Sequence, residues 1–281
     1  MMMLIKKHHN FLHNNKQNYN MNYSLKLSII LVLFAQALSF RSIRNTLLSL
    51  RGGSSQLSVV KLIYFDARGA AELSRVLLKI GAIDFEDYRY PIKIKEGGGF
   101  DVPEFTNAKS DGSLSVNMDR APILVVNGEN VGQSRAIELL IAKMSNMMGS
   151  TDIQSSQIQC IVENVKDIKE KWGKIRMTGG MAPSPEKEAA TAKWFGGELS
   201  EWLGKLERSL PVNINESYTI GDNVTYADVA IWNLLKDTFI DNLEAAEKSI
   251  NASQRLKRIA DNVDQLTSVQ KWMRERPKSM F

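Results

Sequence analysis

Apolar and polar positions change rhythm several times along this chain. From residue 59, "VVKLIYF" is a short β-branched run and predicts a strand. In "AAELSRVLLKIG", Leu73, Val76, Leu77 and Ile80 recur at helical spacing, and Gly81 marks the stop. "DFEDYRY" is a second strand candidate. Residues 93–120, rich in Gly, Asp, Asn and Ser, read as one long loop. Their triple glycine is no phosphate loop, because no Gly-Lys-Ser/Thr follows it. "PILVV" and "ENVG" then flank Asn127-Gly128, a strong hairpin signal, and a helix is expected from Ser134 to about residue 143. The order is βαβ–ββα. Beyond residue 150 the pattern is helical, with helices expected near 152–176, 186–210, 226–248 and 253–275. The expected organisation is a leader at 1–58, an α/β domain at 59–145 and an all-α domain at 150–281.

The leader has its own chemistry. "SLKLSIILVLFAQALSF" places a lysine before a short apolar run that ends in small residues, the pattern of a secretory signal, and the run is too short to span a bilayer comfortably. "FRSIRNTLLSLRGGSSQLS" is Arg- and Ser-rich without acids, as in transit peptides. The two in series predict a bipartite plastid presequence, with secretion or residence in the endoplasmic reticulum as the alternative. No membrane span is expected in the mature chain.

Charge alters the picture once it is divided. The whole chain carries +5, but residues 1–65 hold eight Lys or Arg and no acid, leaving 28 basic against 31 acidic side chains in the remainder. The mildly acidic body gives no support to nucleic-acid binding. All three histidines (His8, His9, His13) lie in the leader and the single cysteine is Cys160, read as a buried helix thiol. Ser-His-Asp and Cys-His catalysis, CxxC redox chemistry and His- or Cys-based zinc sites are therefore excluded from the body. Its chemistry must use hydroxyls, carboxylates, cations or a thiol brought in by a cosubstrate. No metal is expected.

A βαβ–ββα unit with a proline inside a strand has thioredoxin-like architecture. Its strings "YFDARG", "APIL" and "GQSRAI", in that order and followed by helices, resemble the glutathione transferases, most nearly the sigma class that includes glutathione-dependent prostaglandin D synthases. The resemblance spans about residues 59–281. It implies a thioredoxin-like domain followed by an all-α domain, a homodimer, glutathione as cosubstrate and a small hydrophobic electrophile as acceptor. Tyr64, by itself an ordinary packing residue, is implied to donate a hydrogen bond to the glutathione sulfur. Pro122, by itself an edge-strand proline, is implied to follow a cis bond that turns the backbone of Ala121 toward the cysteinyl amide of glutathione. Gln133 and Ser134 are implied to hold the γ-glutamyl carboxylate at a helix N-terminus, although a serine there is ordinarily an N-cap. Arg120 is implied to reach the glutathione backbone or glycyl end. Asp167 is implied to cross a dimer interface toward the partner's γ-glutamyl amine; on its own it is a surface charge able to pair with Lys171.

Two departures stand out. Ala70 replaces an arginine that sigma enzymes place near the thiolate, and no residue clearly matches those that hold the glycyl carboxylate, with Phe100, Val102 and Lys109 the nearby candidates. Both keep a non-catalytic, transferase-like scaffold open as the alternative. Thr225 and Asp228, at N-cap and N3 spacing, predict a structural capping box. Trp194, Trp202 and Trp232 are expected in the core.

Overall fold

The computed structural model describes residues 59–279 apart from 97, 98, 181 and 215. The signal and transit assignments, on residues 1–58, lie outside the described residues.

In chain order the first domain runs β1 (Val60–Phe65), α1 (Glu72–Ile80), β2 (Glu86–Tyr90), β3 (Lys93–Ile94), β4 (Phe100–Asp101), α2 (Pro103–Ser110), β5 (Ile123–Val126), β6 (Glu129–Gly132) and α3 (Ser134–Met144). The four-stranded sheet has the order β2-β1-β5-β6, with β1 parallel to β2 and antiparallel to β5. Asn127 and Gly128 both take positive φ, as the β5–β6 hairpin turn requires. Alternation along β1 divides its side chains between two faces. Val60 and Leu62 are buried under α1 and α3, and Tyr64 packs on that same core; Ile63 and Phe65 face the other way, where Phe65 meets Phe105 of α2 at 4.6 Å. This is the expected thioredoxin-like domain.

The helical part runs α4 (Asp152–Arg176), α5 (Pro185–Lys193), α6 (Leu199–Ser209), α7 (Tyr226–Trp232), α8 (Leu243–Ala252), α9 (Gln254–Asp264) and α10 (Thr267–Glu275). Thr151 caps α4 by accepting a hydrogen bond from the Gln154 N–H at 3.2 Å. Ile158, Ile161, Val162, Val165, Ile168 and Trp172 form its buried stripe. The apolar core is continuous from β1 through α1 and α3 into α4, α7 and α9. Trp194 and Trp232 are fully buried in it, whereas Trp202 is half-buried.

Three expectations need correction. The stretch 93–120 contains the small β3–β4 pair and α2, which the loop reading missed. The α2 sequence, PEFTNAKS, has little apolar periodicity, and its one start signal is Pro103 at the first helical position. The helices expected at 226–248 and 253–275 are each divided. The first passes through a π-helical turn (Asn233–Thr238) and a 3-10 turn (Ile240–Asn242) before α8; the second breaks between α9 and α10. Cys160 is exposed, not buried, because it falls off the stripe marked by Ile158, Ile161 and Val162.

Candidate active site

Tyr64 stands at the end of β1, where the chain leaves the sheet through residues 66–71. The Ala70 N–H donates to the Tyr64 hydroxyl oxygen at 3.1 Å. That bond occupies an acceptor site and leaves the phenolic hydrogen free, and a hydroxyl polarised in this way is a stronger donor. Gly69 takes φ +41, and a Cβ there would lie 2.6 Å from the Tyr64 oxygen. We therefore expect Gly69→Ala to displace the phenol and lower kcat/KM roughly tenfold, with about 1 kcal/mol of stability lost to the left-handed backbone. Steady-state kinetics and urea unfolding check the two effects, and unchanged turnover would contradict the close packing.

The turn is held from beneath. Arg75, fully buried on α1, donates through Nη1 to the carbonyls of Ala67 (2.7 Å) and Arg68 (3.3 Å). It belongs to an unbroken run of ion pairs: Asp66–Arg89–Asp87–Arg75–Glu72–Arg276–Asp237–Arg68. Glu72 also accepts from the Trp272 indole at 2.9 Å, so residues at the end of the chain brace the Tyr64 turn. Sequence reasoning missed this network. Its local traces are the Glu72/Arg75 pair at i,i+3 among apolar residues and the Asp87/Arg89 pair within β2, since the remaining pairs join residues 12 or more positions apart.

The Ala121–Pro122 bond is cis. The Pro122 carbonyl accepts from Asn117 Nδ2 at 2.9 Å, whereas among the described residues neither backbone polar group of Ala121 bonds to the protein. Ala121 therefore offers a free donor and acceptor just before β5. Arg120 is exposed, and its Nε donates to the Asn117 carbonyl at 3.3 Å. Gln133 occupies φ 64, ψ 117 as the N-cap of α3, without a side-chain cap bond, and Ser134 is the first helical residue. The N-cap reading of Ser134 is thus corrected. The uncapped first turn of α3 leaves N–H groups open to an anion. Gln133 is strained, and such strain collects at ligand sites.

Ser134 meets the Tyr64 turn across a cavity of about 340 Å³, whose walls include Gly69, Ala70, Leu73, Glu138 and Lys169. A second lobe of about 230 Å³ shares Gly69 and Lys169 and continues past Trp172, Arg176, Asn233 and Asp237. Together they form a cleft between the sheet domain and α4. Among the described residues its walls include Ser134 but not Arg120, Ala121, Pro122 or Gln133, nor Tyr64 itself, whose hydroxyl lies behind Gly69 and Ala70. Asp167 lies elsewhere, in a groove beside Trp202 and Lys205 of α6. It does not pair with Lys171, which instead approaches Glu198 at 3.6 Å. Lys109 sits 5.9 Å over the Phe105 ring, where α2 covers the opposite sheet face.

Glu138, in the cavity wall, accepts from the Tyr226 hydroxyl and lies 3.8 Å from Arg135. Burial raises its carboxyl above the ordinary value of 4.5, against the pull of Tyr226, Lys169 and Arg135. The folded state thus holds this proton more tightly than the unfolded chain. The resulting stability is full below the ordinary glutamate pKa and is lost as pH rises through the raised one. Urea unfolding should show the stability of the wild type relative to Glu138→Gln falling as pH rises above the ordinary glutamate value of 4.5. A pH-independent difference would contradict the burial argument. The capping box at α7 is present: Asp228 accepts from Thr219 N, Thr225 N and Thr225 Oγ1 at 2.6, 2.7 and 2.7 Å.

Comparison with known proteins agrees with this arrangement. Residues 60–143 match the family described as Glutathione S-transferase, N-terminal domain, and residues 166–276 match Glutathione S-transferase, C-terminal domain. The chain is 30% identical to a glutathione S-transferase of Plasmodium yoelii yoelii, over 61% of this chain and 74% of that protein. It is 27% identical to the hematopoietic prostaglandin D synthase of Gallus gallus, over 78% of this chain and 97% of that protein. Among solved structures it is similar in fold to a sigma class GST of Fasciola hepatica, with a TM-score of 0.64 at 22% identity, over 80% of this chain and all of that one. With both domains matched in order and a relative at this identity, the chain belongs to the glutathione S-transferase family.

Proposed function

We propose that this chain conjugates glutathione to an electrophile, or uses it for isomerisation or peroxide reduction, with Tyr64 keeping the bound thiol ionised. A cysteine thiol of pKa about 8.5 is only a few per cent thiolate at pH 7, and the thiolate is the nucleophile. One donor aimed at the sulfur favours the anion, and each unit of pKa corresponds to about 1.4 kcal/mol. The observation that carries the reading is the Ala70 N–H bond to the Tyr64 oxygen, which leaves the phenolic hydrogen free to donate next to Gly69 and Ala70 of the cavity wall.

Glutathione would lie with its γ-glutamyl carboxylate at Ser134 and Gln133 and its cysteinyl amide on Ala121, before Pro122. Arg120 would stand toward the glycyl end. We place Asp167, which faces away from its own chain's cleft, at a homodimer interface, where it would meet the γ-glutamyl amine bound by the partner. The leader would carry the protein to a plastid. The test is retention of the full chain on immobilised glutathione together with turnover of chlorodinitrobenzene. Absence of both would refute the transferase reading, and sedimentation at the mass of a single chain would remove the role given to Asp167.

A further inference from the structure

We infer that Asn117 is a positioning residue for glutathione: its side chain holds the two backbone segments assigned to the tripeptide, Arg120–Pro122 and Gln133–Ser134, in place against each other. This rests on the transferase reading. The strands β5 and β6 pair from Val126–Glu129 to Ile123–Gly132, and there the ladder ends. Pro122 on one side and Gln133 on the other lie just beyond the last pair. Asn117 spans this open end. Its Nδ2 donates to the Pro122 carbonyl at 2.9 Å, and it packs so closely on Gly132 that a Cβ there would lie 2.6 Å from the Asn117 Cβ and 2.9 Å from its Cγ. One side chain therefore touches both segments, next to Ala121 on one and next to Gln133 on the other.

Asn117 is itself held. It ends the 3-10 turn Ser115–Asn117, where its N–H donates to the Leu114 carbonyl at 3.0 Å. Its own carbonyl accepts from the Arg120 N–H at 3.2 Å and from Arg120 Nε at 3.3 Å. Between these two residues Met118 and Asp119 take φ 53 and 57, a left-handed backbone that persists only where its surroundings fix it. The side chain of Asn117 is buried, so water does not replace a bond lost there. Its Oδ1 is buried as well and accepts no hydrogen bond among the described residues. An apolar residue would fill the same space without that unsatisfied acceptor, so what the amide adds is the directed bond to Pro122. The Tyr64 hydroxyl takes its bond from Ala70, on a separate turn. Asn117 thus governs how tightly the peptide is held and leaves the chemistry at sulfur alone.

Calorimetry of the full chain with glutathione and with S-methylglutathione, which has no thiol, tests this beside steady-state kinetics with chlorodinitrobenzene. Asn117→Ala should raise the Kd of both ligands, and the KM for glutathione, about tenfold, the effect of one buried carbonyl left unpaired. At saturating glutathione kcat should change less than about twofold. A merely structural role would lower the binding stoichiometry and kcat while leaving Kd and KM as they were, and that result would overturn the inference. Weaker glutathione with unchanged S-methylglutathione would also overturn it, because the effect would then run through sulfur.

Gly132→Ala reaches the same contact from the other strand, since its methyl group displaces Asn117 from Pro122. It should show the same rise in Kd, and it decides the matter if Asn117→Ala does not fold: an unchanged Kd in Gly132→Ala then refutes the positioning role. A wild type that neither binds these ligands nor turns over substrate would overturn the transferase reading itself. A wild type that does both, beside variants of unchanged Kd, would overturn only the role given to Asn117.

Discussion

Tyr64→Phe should lower kcat/KM for conjugation roughly a hundredfold at neutral pH, without unfolding the protein. Phenylalanine keeps the ring on the core face of β1, where Arg75 approaches it at 5.9 Å, so packing survives. Only the hydroxyl is removed. The Ala70 N–H loses an acceptor, but Ala70 is exposed and water can replace it. The sulfur loses its donor. If that donor depresses the thiol by about two units, the reactive fraction near pH 7 falls from most of the bound glutathione to a few per cent. The loss should therefore shrink as pH rises toward the pKa of the free thiol. A variant as active as the wild type across that range would show that the hydroxyl has no part in activating sulfur.

Asp228→Ala should cost about 3 kcal/mol of stability, the largest single loss expected outside the apolar core. The carboxylate is fully buried and serves two segments at once. It caps α7 through Thr225 N and Oγ1, and it satisfies the Thr219 N–H nine residues earlier. Alanine would leave two buried backbone donors unpaired at roughly 1–3 kcal/mol each. Asparagine keeps one acceptor oxygen and should lose about half as much. Because α7 also reaches the interdomain segment through Tyr226 N and the Met147 carbonyl at 3.0 Å, the loss should appear as one cooperative shift of the urea midpoint. Turnover per folded molecule should be nearly unchanged, which separates this aspartate from a catalytic one.

These two residues also show what the sequence discloses. Tyr64, Pro122, Ser134 and Asp228 are legible because each sits in a local pattern: a strand end, a proline within a strand, a helix start, a capping box. Alternation along β1 is enough to place Tyr64 on the face that meets the helices. Distant pairing is not legible. Glu72 and Arg276 touch at 2.8 Å across 204 positions, and no local periodicity announces that contact. The polarity of the cleft escaped for the same reason. Lys169 is one of several lysines on α4, and only the fold shows that its neighbouring acids are engaged elsewhere. The helix α2 was missed because its length and weak periodicity leave only tertiary packing of Phe105 and Ala108 to reveal it. Cys160 was misplaced by composition, since a lone helix cysteine is usually buried, while the stripe beside it already excluded that position.

The central claim concerns the protonation state of a borrowed sulfur, and it can be read directly. Titrating the ultraviolet absorbance of the thiolate in the glutathione complex, beside the same complex of Tyr64→Phe, gives the two thiol pKa values. The account predicts a value about two units below that of free glutathione in the wild type and a return toward the free value in the variant. Identical titrations in the two complexes, with glutathione bound in both, would contradict it.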